Sequence, residues 1–224
     1  MDTLDRLGLS ESTILIVTSD NGGYDEFEYQ GESGEGTHNP NEPWRASKSS
    51  TYEGGFRVPF IVRWPGKIPA GTVSNESLSL VDMFATLVGA AGGSIPSEGA
   101  LDSIDVMAQL MEPNPDDDVD RQFVTCTRGM VYISIFSGDW KLILKTNDGS
   151  VQLYNLKEDP RESSDLSVIK PTMVEAMRQA LNDYFVAGSS RPGAKAEGRE
   201  LADILKERES RNKVVESLMQ RGGN

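Results

Sequence analysis

The sequence is poor in the groups that most often carry chemistry, with one cysteine and one histidine in 224 residues. A single cysteine, Cys126, excludes an internal disulfide and leaves the redox compartment unread. With His38 alone, neither a His-rich zinc site nor a Ser-His-Asp triad with a spare imidazole can be assembled. Positive charge is scarce as well. The 22 Lys and Arg stand against 35 Asp and Glu, for a net charge of −13 and a pI near 4.6. That balance argues against nucleic acid as the main partner, because phosphate recognition needs a basic surface, and an anionic substrate would need a local cationic pocket. No apolar run approaches the roughly 20 residues of a membrane span. The opening Met1-Asp2-Thr3-Leu4-Asp5-Arg6 has neither the basic nor the apolar stretch of a signal peptide, so the sequence as it stands gives no export address. There is no internal repeat, no GxGxxG and no P-loop pattern.

What is present is organised around Thr13-Ile14-Leu15-Ile16-Val17-Thr18-Ser19-Asp20-Asn21-Gly22-Gly23. A short run rich in β-branched residues that ends in Asp-Asn-Gly-Gly reads as a buried strand running into a turn, at the strand end where α/β sheets build their sites. Asp20 offers a carboxylate and Asn21 an amide carbonyl, hard oxygen donors suited to Ca²⁺ or Mg²⁺, while the glycines let the backbone turn sharply beside them. An ordinary strand-to-loop turn uses the same residues. Lys48 supplies a point charge able to hold a tetrahedral oxyanion, although a lone lysine is most often simply solvated. Glu53-Gly54-Gly55 turns the chain towards a second buried strand, Phe60-Ile61-Val62-Arg63-Trp64, closed by Pro65-Gly66.

Further along, residues 24–41 read as an acidic, glycine-rich loop, and His38 within it as a surface histidine. Leu80, Val81, Phe84, Leu87, Val88 and Ala91 recur at helical spacing and predict a packing helix stopped by Gly92-Gly93, with Asp82 on its polar face. Pro113-Asn114-Pro115-Asp116-Asp117-Asp118 has the composition of a boundary. Alternating Val131, Ile133 and Ile135, the Ser137-Gly138-Asp139 turn, Trp140-Lys141-Leu142-Ile143-Leu144-Lys145 and Val151-Gln152-Leu153-Tyr154-Asn155 predict an antiparallel meander. Met173, Val174, Met177, Leu181 and Phe185 form the stripe of a covering helix that ends at Gly188. Ser189-Ser190-Arg191-Pro192-Gly193 reads as a flexible joint. A docked amphipathic tail helix follows, with Leu201, Ile204, Leu205, Val214, Val215, Leu218 and Met219 as its stripe and Arg208 interrupting it. Organisation is thus expected as an α/β part over residues 1–112, an antiparallel-sheet and helix subdomain over 119–188, and the joint with its tail over 189–224.

The strand and turn over residues 13–22, Lys48-x-x-Thr51-Tyr52-Glu53-Gly54-Gly55-Phe56-Arg57-Val58-Pro59 and Trp64-Pro65-Gly66-Lys67-Ile68 together resemble the C-terminal half of an arylsulfatase-type sulfatase. Leu80-Val81-Asp82-Met83-Phe84-Ala85-Thr86-Leu87, Gly138-Asp139-Trp140-Lys141-Leu142 and Leu153-Tyr154-Asn155-Leu156-x-x-Asp159-Pro160-x-Glu162 extend the resemblance over about residues 3–186. It implies an alkaline-phosphatase-like α/β fold followed by a small antiparallel sheet and helix, and hydrolysis of sulfate esters with a divalent cation, usually Ca²⁺. By position, Asp20 and Asn21 resemble two metal ligands and Lys48 the lysine that contacts sulfate. Substrates of this class are sulfated small molecules or polysaccharides.

The family's nucleophile is a formylglycine made within Cys/Ser-x-Pro-x-Arg, and Cys126-Thr127-Arg128-Gly129-Met130 does not match that motif. The aspartate pair that completes the metal site has no counterpart either. The chain is therefore expected to be the C-terminal portion of a sulfatase, inactive alone and a weak Ca²⁺ binder. The alternatives are a non-catalytic sulfatase-like binding module and a phosphoesterase of the same superfamily. Compartment and oligomeric state stay open.

Overall fold

The computed structural model describes residues 1–24, 40–112 and 121–221. His38 and the acidic stretch 113–118 lie outside the described residues. The chain opens with a short helix α1 (Asp2–Arg6), followed by Gly8 at φ +67°, as the helix-end reading expects. Strand β1 (Leu15–Thr18) then leads into the Asp20-Asn21 turn. A single helical turn α2 (Glu53–Phe56) precedes β2 (Phe60–Arg63), which pairs antiparallel with β1 in the register Leu15↔Arg63 to Thr18↔Phe60.

Two expectations fail here, each for its own reason. β1 and β2 were expected as buried strands, yet Val17 and Ile61 are 53% and 62% exposed, because among the described residues each strand has only the other beside it. The helix α3 (Asp82–Ala90) turns inward a face other than its apolar stripe. Phe84, Leu87, Val81 and Leu80 lie outside, while Asp82, Ala85 and Thr86 are buried. Hydrogen bonding decides that orientation. The Asp82 carboxylate accepts from the Ser79 and Ile104 amides (3.0 and 3.1 Å) and takes both guanidinium nitrogens of Arg121. Ser103 Oγ accepts from the Ala85 amide (2.8 Å) and Thr86 Oγ1 from the Val106 amide (3.0 Å). A buried carboxylate released from these partners would cost several kcal/mol, more than burying a single apolar side chain returns. Asp82 is thus a structural anchor and not a polar-face residue.

After a short helix α4 (Met107–Met111), the second half is built on a four-stranded antiparallel sheet in the order β3 (Gln122–Cys126), β4 (Tyr132–Ser137), β5 (Trp140–Lys145), β6 (Val151–Asn155). The meander of β4 to β6 follows the sequence expectation; β3 was not foreseen. Because side chains alternate across a strand, the sheet has two dissimilar faces. Ile133, Ile135, Leu142, Leu144 and Leu153 point to one and form the core with Met177 and Leu181 of α5 (Pro171–Ala187) and Leu201 of α6 (Leu201–Arg221). α5 begins with proline, where a missing N–H costs nothing. It ends at Gly188, whose left-handed φ of +67° lets its N–H reach the Tyr184 carbonyl at 3.1 Å.

α6 docks through Leu201 and Leu205, and Arg208, expected as an interruption, is an anchor: it donates to the Gly129 carbonyl (2.7 Å) and to Thr146 Oγ1. The segment between α5 and α6 is held as well, with Arg191 donating to the carbonyls of Pro96, Gly99 and Ala100. On the other sheet face stand Ser134, Lys141, Gln152 and Tyr154, and that face meets the loop that carries Lys48.

Candidate functional site

The Asp20-Asn21 turn and the Lys48 loop are locked together through their backbones. The Gly22 amide donates to the Gly55 carbonyl (3.0 Å), and the Lys48 amide donates to the Gly23 carbonyl (3.1 Å). Asn41 closes the turn from a third direction, its Oδ1 accepting from the Gly23 amide (2.6 Å) and its Nδ2 donating to the Gly23 carbonyl (2.9 Å). The structure thereby brings Lys48 within two residues' reach of Asn21, although 26 positions separate Gly22 from Lys48 in sequence.

The approach needs glycine. A Cβ on Gly22 would collide with the Gly54 carbonyl, one on Gly54 with the Ala46 carbonyl, and one on Gly55 with the Ser50 carbonyl. Lys48 itself is flanked by Ala46 at φ +64° and Ser49 at φ +73°. Left-handed backbone at non-glycine residues costs on the order of 1 kcal/mol or more each and persists only where surrounding contacts over-determine it.

Those contacts come from the polar face of the sheet. Arg45 Nη1 donates to the Tyr154 hydroxyl (3.1 Å) and to the Glu162 carbonyl (2.8 Å), with its guanidinium 3.8 Å over the Tyr52 ring. The Tyr52 hydroxyl donates to Gln152 Oε1 (2.8 Å), and the Thr51 and Ser134 hydroxyls share a hydrogen bond. Glu53 is held twice: its amide donates to Glu162 Oε2 (2.7 Å) and its Oε1 accepts from Lys141 Nζ (2.9 Å). Lys141 Nζ also lies 2.7 Å from Glu162 Oε1. Burial pushes the Glu162 carboxyl up, with Lys141 partly opposing it. Burial likewise pushes the Tyr154 phenol up to about 12, against the Arg45 hydrogen bond, so its hydroxyl keeps its proton while accepting from Arg45.

Asp20 and Lys48 are exposed and Asn21 is half-buried. The Asn21 amide nitrogen donates to the Gly22 carbonyl (2.8 Å), which leaves its oxygen as the available acceptor. Among the described residues no group of three or more His, Cys, Asp or Glu is gathered for a metal ion. Asp20 and Asn21 offer a carboxylate and an amide oxygen, hard donors in type, and two such oxygens are fewer than the roughly six to eight that calcium takes. Cys126 is exposed on the edge strand β3. Sequence reading passed over Lys141 and Glu162 as interior charges. The available signal was a lysine inside an otherwise apolar strand, Trp140-Lys141-Leu142-Ile143-Leu144, where solvent-facing polarity would have alternated.

Residues 1–94 match the sulfatase family model. An N-acetylgalactosamine-6-O-sulfatase of Bacteroides thetaiotaomicron is 32% identical over 197 residues, covering 81% of this chain and 38% of the relative. A steryl-sulfatase of Rattus norvegicus is 40% identical over 109 residues, covering 49% of this chain and 18% of the relative. A solved protein from the metabolism of multiple glycosaminoglycans by Bacteroides thetaiotaomicron superposes with a TM-score of 0.68 at 31% identity, covering 82% of this chain and 41% of that one. The chain thus spans about two fifths or less of the length of these relatives. On its matched residues and on the alkaline-phosphatase-like fold it shares with these proteins, the chain belongs to the sulfatase family.

Proposed function

We propose that this chain supplies part of the site of a sulfate-ester hydrolase, with Asp20 and Asn21 as ligands of a divalent cation, Ca²⁺ by preference, and Lys48 as the charge that binds the sulfate group. The observation that carries this reading is the pair of backbone bonds, Gly22 to Gly55 and Lys48 to Gly23, that hold the lysine beside the Asp-Asn turn. A divalent cation held there would act as a Lewis acid and template towards a sulfate oxygen. Lys48, a compact charge with three donors, suits the tetrahedral oxygens of sulfate and stabilises negative charge as it builds on them.

The relatives' names point to different alcohols, an amino sugar and a sterol. Both are named as sulfatases, which supports assigning the sulfate end of the substrate to this chain, and a sulfated saccharide is favoured because the amino-sugar relative matches over 81% of the chain. No Cys/Ser-x-Pro-x-Arg run occurs in the 224 residues. We therefore expect the chain to bind sulfate without cleaving its ester. A phosphoesterase of the same superfamily and a purely binding module are the competing readings.

Titration of the labelled chain by NMR tests the proposal. Adding CaCl₂ and then sodium sulfate should shift the Asn21, Gly22 and Lys48 amides with affinities on the order of millimolar. The calcium response should vanish in Asp20→Ala and the sulfate response in Lys48→Ala. Sulfate shifts that persist without Lys48 overturn the assignment of that residue. A much stronger response to phosphate than to sulfate favours the phosphoesterase reading, and turnover of an aryl sulfate by the purified chain overturns the expectation of inactivity.

A further inference from the structure

The Lys48 loop rests on a buried charge cluster on the polar face of the sheet. Lys141 and Glu162 are 0% exposed and Glu53 5%. They come from three separate places: β5, the loop after β6, and the helical turn α2 that closes the Lys48 loop. Lys141 Nζ contacts one oxygen of each carboxylate at 2.9 and 2.7 Å, and Glu162 uses its other oxygen for the Glu53 amide at 2.7 Å. Arg57 Nη1 lies 3.5 Å from the remaining Glu53 oxygen, and Arg45 is bonded to the Glu162 carbonyl. Glu162 itself sits at φ +53°, a left-handed conformation that its contacts must hold.

A buried ion cluster of this kind is a poor stabiliser, because desolvation consumes much of the Coulombic gain and an apolar replacement often does as well. Its directional bonds can instead fix one arrangement among several of similar energy. The charged side chains of this cluster bond to the loop through Glu53 of α2, whose Gly54 and Gly55 clasp Arg45 and Gly22 through their backbones, with Gly54 donating to the Arg45 carbonyl (2.8 Å). A shift of α2 would therefore be transmitted to the Gly22–Gly55 and Lys48–Gly23 bonds.

We infer that Lys141, Glu53 and Glu162 are positioning residues: a buried clamp on the sheet's polar face that sets α2, and through it the placement of Lys48 against the Asp20-Asn21 turn. The inference rests on the reading of Lys48 as the sulfate-binding residue. Lys141 is fully buried and acts through Glu53.

The test uses the full chain with all three charges removed at near-constant volume, Lys141→Met with Glu53→Gln and Glu162→Gln, so that no unpaired buried charge is left behind; Arg57, which loses Glu53, is half exposed. The expected result is a melting temperature within a few degrees of the parent. Amide exchange at Gly22, Lys48 and Gly54 should be about tenfold faster or more, with exchange in β4 and β5 unchanged, and the inorganic-sulfate affinity weakened. Unchanged exchange at those three amides in a folded variant overturns the inference, and so does a uniform rise in exchange across the sheet, which marks a merely structural role. If the triple variant fails to fold, Glu53→Gln alone decides by the same amides. Loss of exchange protection without any sulfate binding by the parent chain leaves the clamp standing and overturns the Lys48 reading instead, so the two failures are distinct.

Discussion

At the scale of single residues, the site depends on groups whose replacement has unequal consequences. Gly22→Ala puts a Cβ against the Gly54 carbonyl, which belongs to backbone that is itself pinned, so relief requires moving the loop. We expect a loss of at least about 1–3 kcal/mol in denaturant unfolding, together with loss of the Ca²⁺-dependent shifts at Asn21. Lys141→Met is harsher, because it leaves Glu53 and Glu162 buried as like charges, and a cost of about 3–5 kcal/mol is expected at neutral pH. The pH dependence has a definite sign. Burial raises the folded-state value of Glu162 above the usual 4.5, so the folded chain binds that proton more tightly than the unfolded chain does. Its contribution to stability is therefore fully present below the ordinary carboxylate value and is lost as pH rises through the raised one. Glu162→Gln should flatten this part of a stability profile measured from pH 4 upwards by chemical denaturation, and an unaltered profile would count against the buried carboxyl as its source.

At the scale of elements, what was readable in sequence is what simple periodicity controls. β4 to β6 announce themselves by alternation and by the Ser137-Gly138-Asp139 and Asp148-Gly149 turns, and α5 by its stripe and its terminal Gly188. Leu181, 1% exposed in that stripe, fills the space between helix and sheet, so Leu181→Ala should cost about 2–5 kcal/mol in urea unfolding. β3 gives little signal because Gln122-Phe123-Val124-Thr125-Cys126 is a short edge strand beside an acidic stretch, with only β4 as a neighbour among the described residues. Hydropathy assigns the inward face of α3 to Phe84 and Leu87, whereas hydrogen bonds assign it to Asp82 and Thr86. Arg121 lies far away in sequence, and nothing local announces its pairing with Asp82. Within the site, ligand chemistry at Asp20, Asn21 and Lys48 could be proposed from residue types. Their mutual placement could not, because it is made by Gly22, Gly23 and Gly55 backbone bonds that carry no side-chain signature.

At the scale of the whole molecule, the described residues divide their apolar surface unevenly. The face between the four-stranded sheet, α5 and α6 is closed, while Val17, Ile61, Phe84 and Leu87 remain outside on β1, β2 and α3. β1 and β2 also carry strand edges that no other described strand pairs. Exposed apolar area beside open edges favours self-association. Sedimentation of the purified chain should show concentration-dependent association that Ile61→Lys with Phe84→Lys reduces; a monomer at all concentrations would contradict this. The first half thus leans on the second for its site, since the polar face of the sheet carries the Lys48 loop. The close contact of Gly22 with Gly54 has a further consequence for exchanging parts between relatives. Two segments distant along the chain behave as one hereditary unit, and a chimera that takes its Lys48 loop from one parent must take the Asp20-Asn21 turn from the same parent, or the two halves of the clasp will not close.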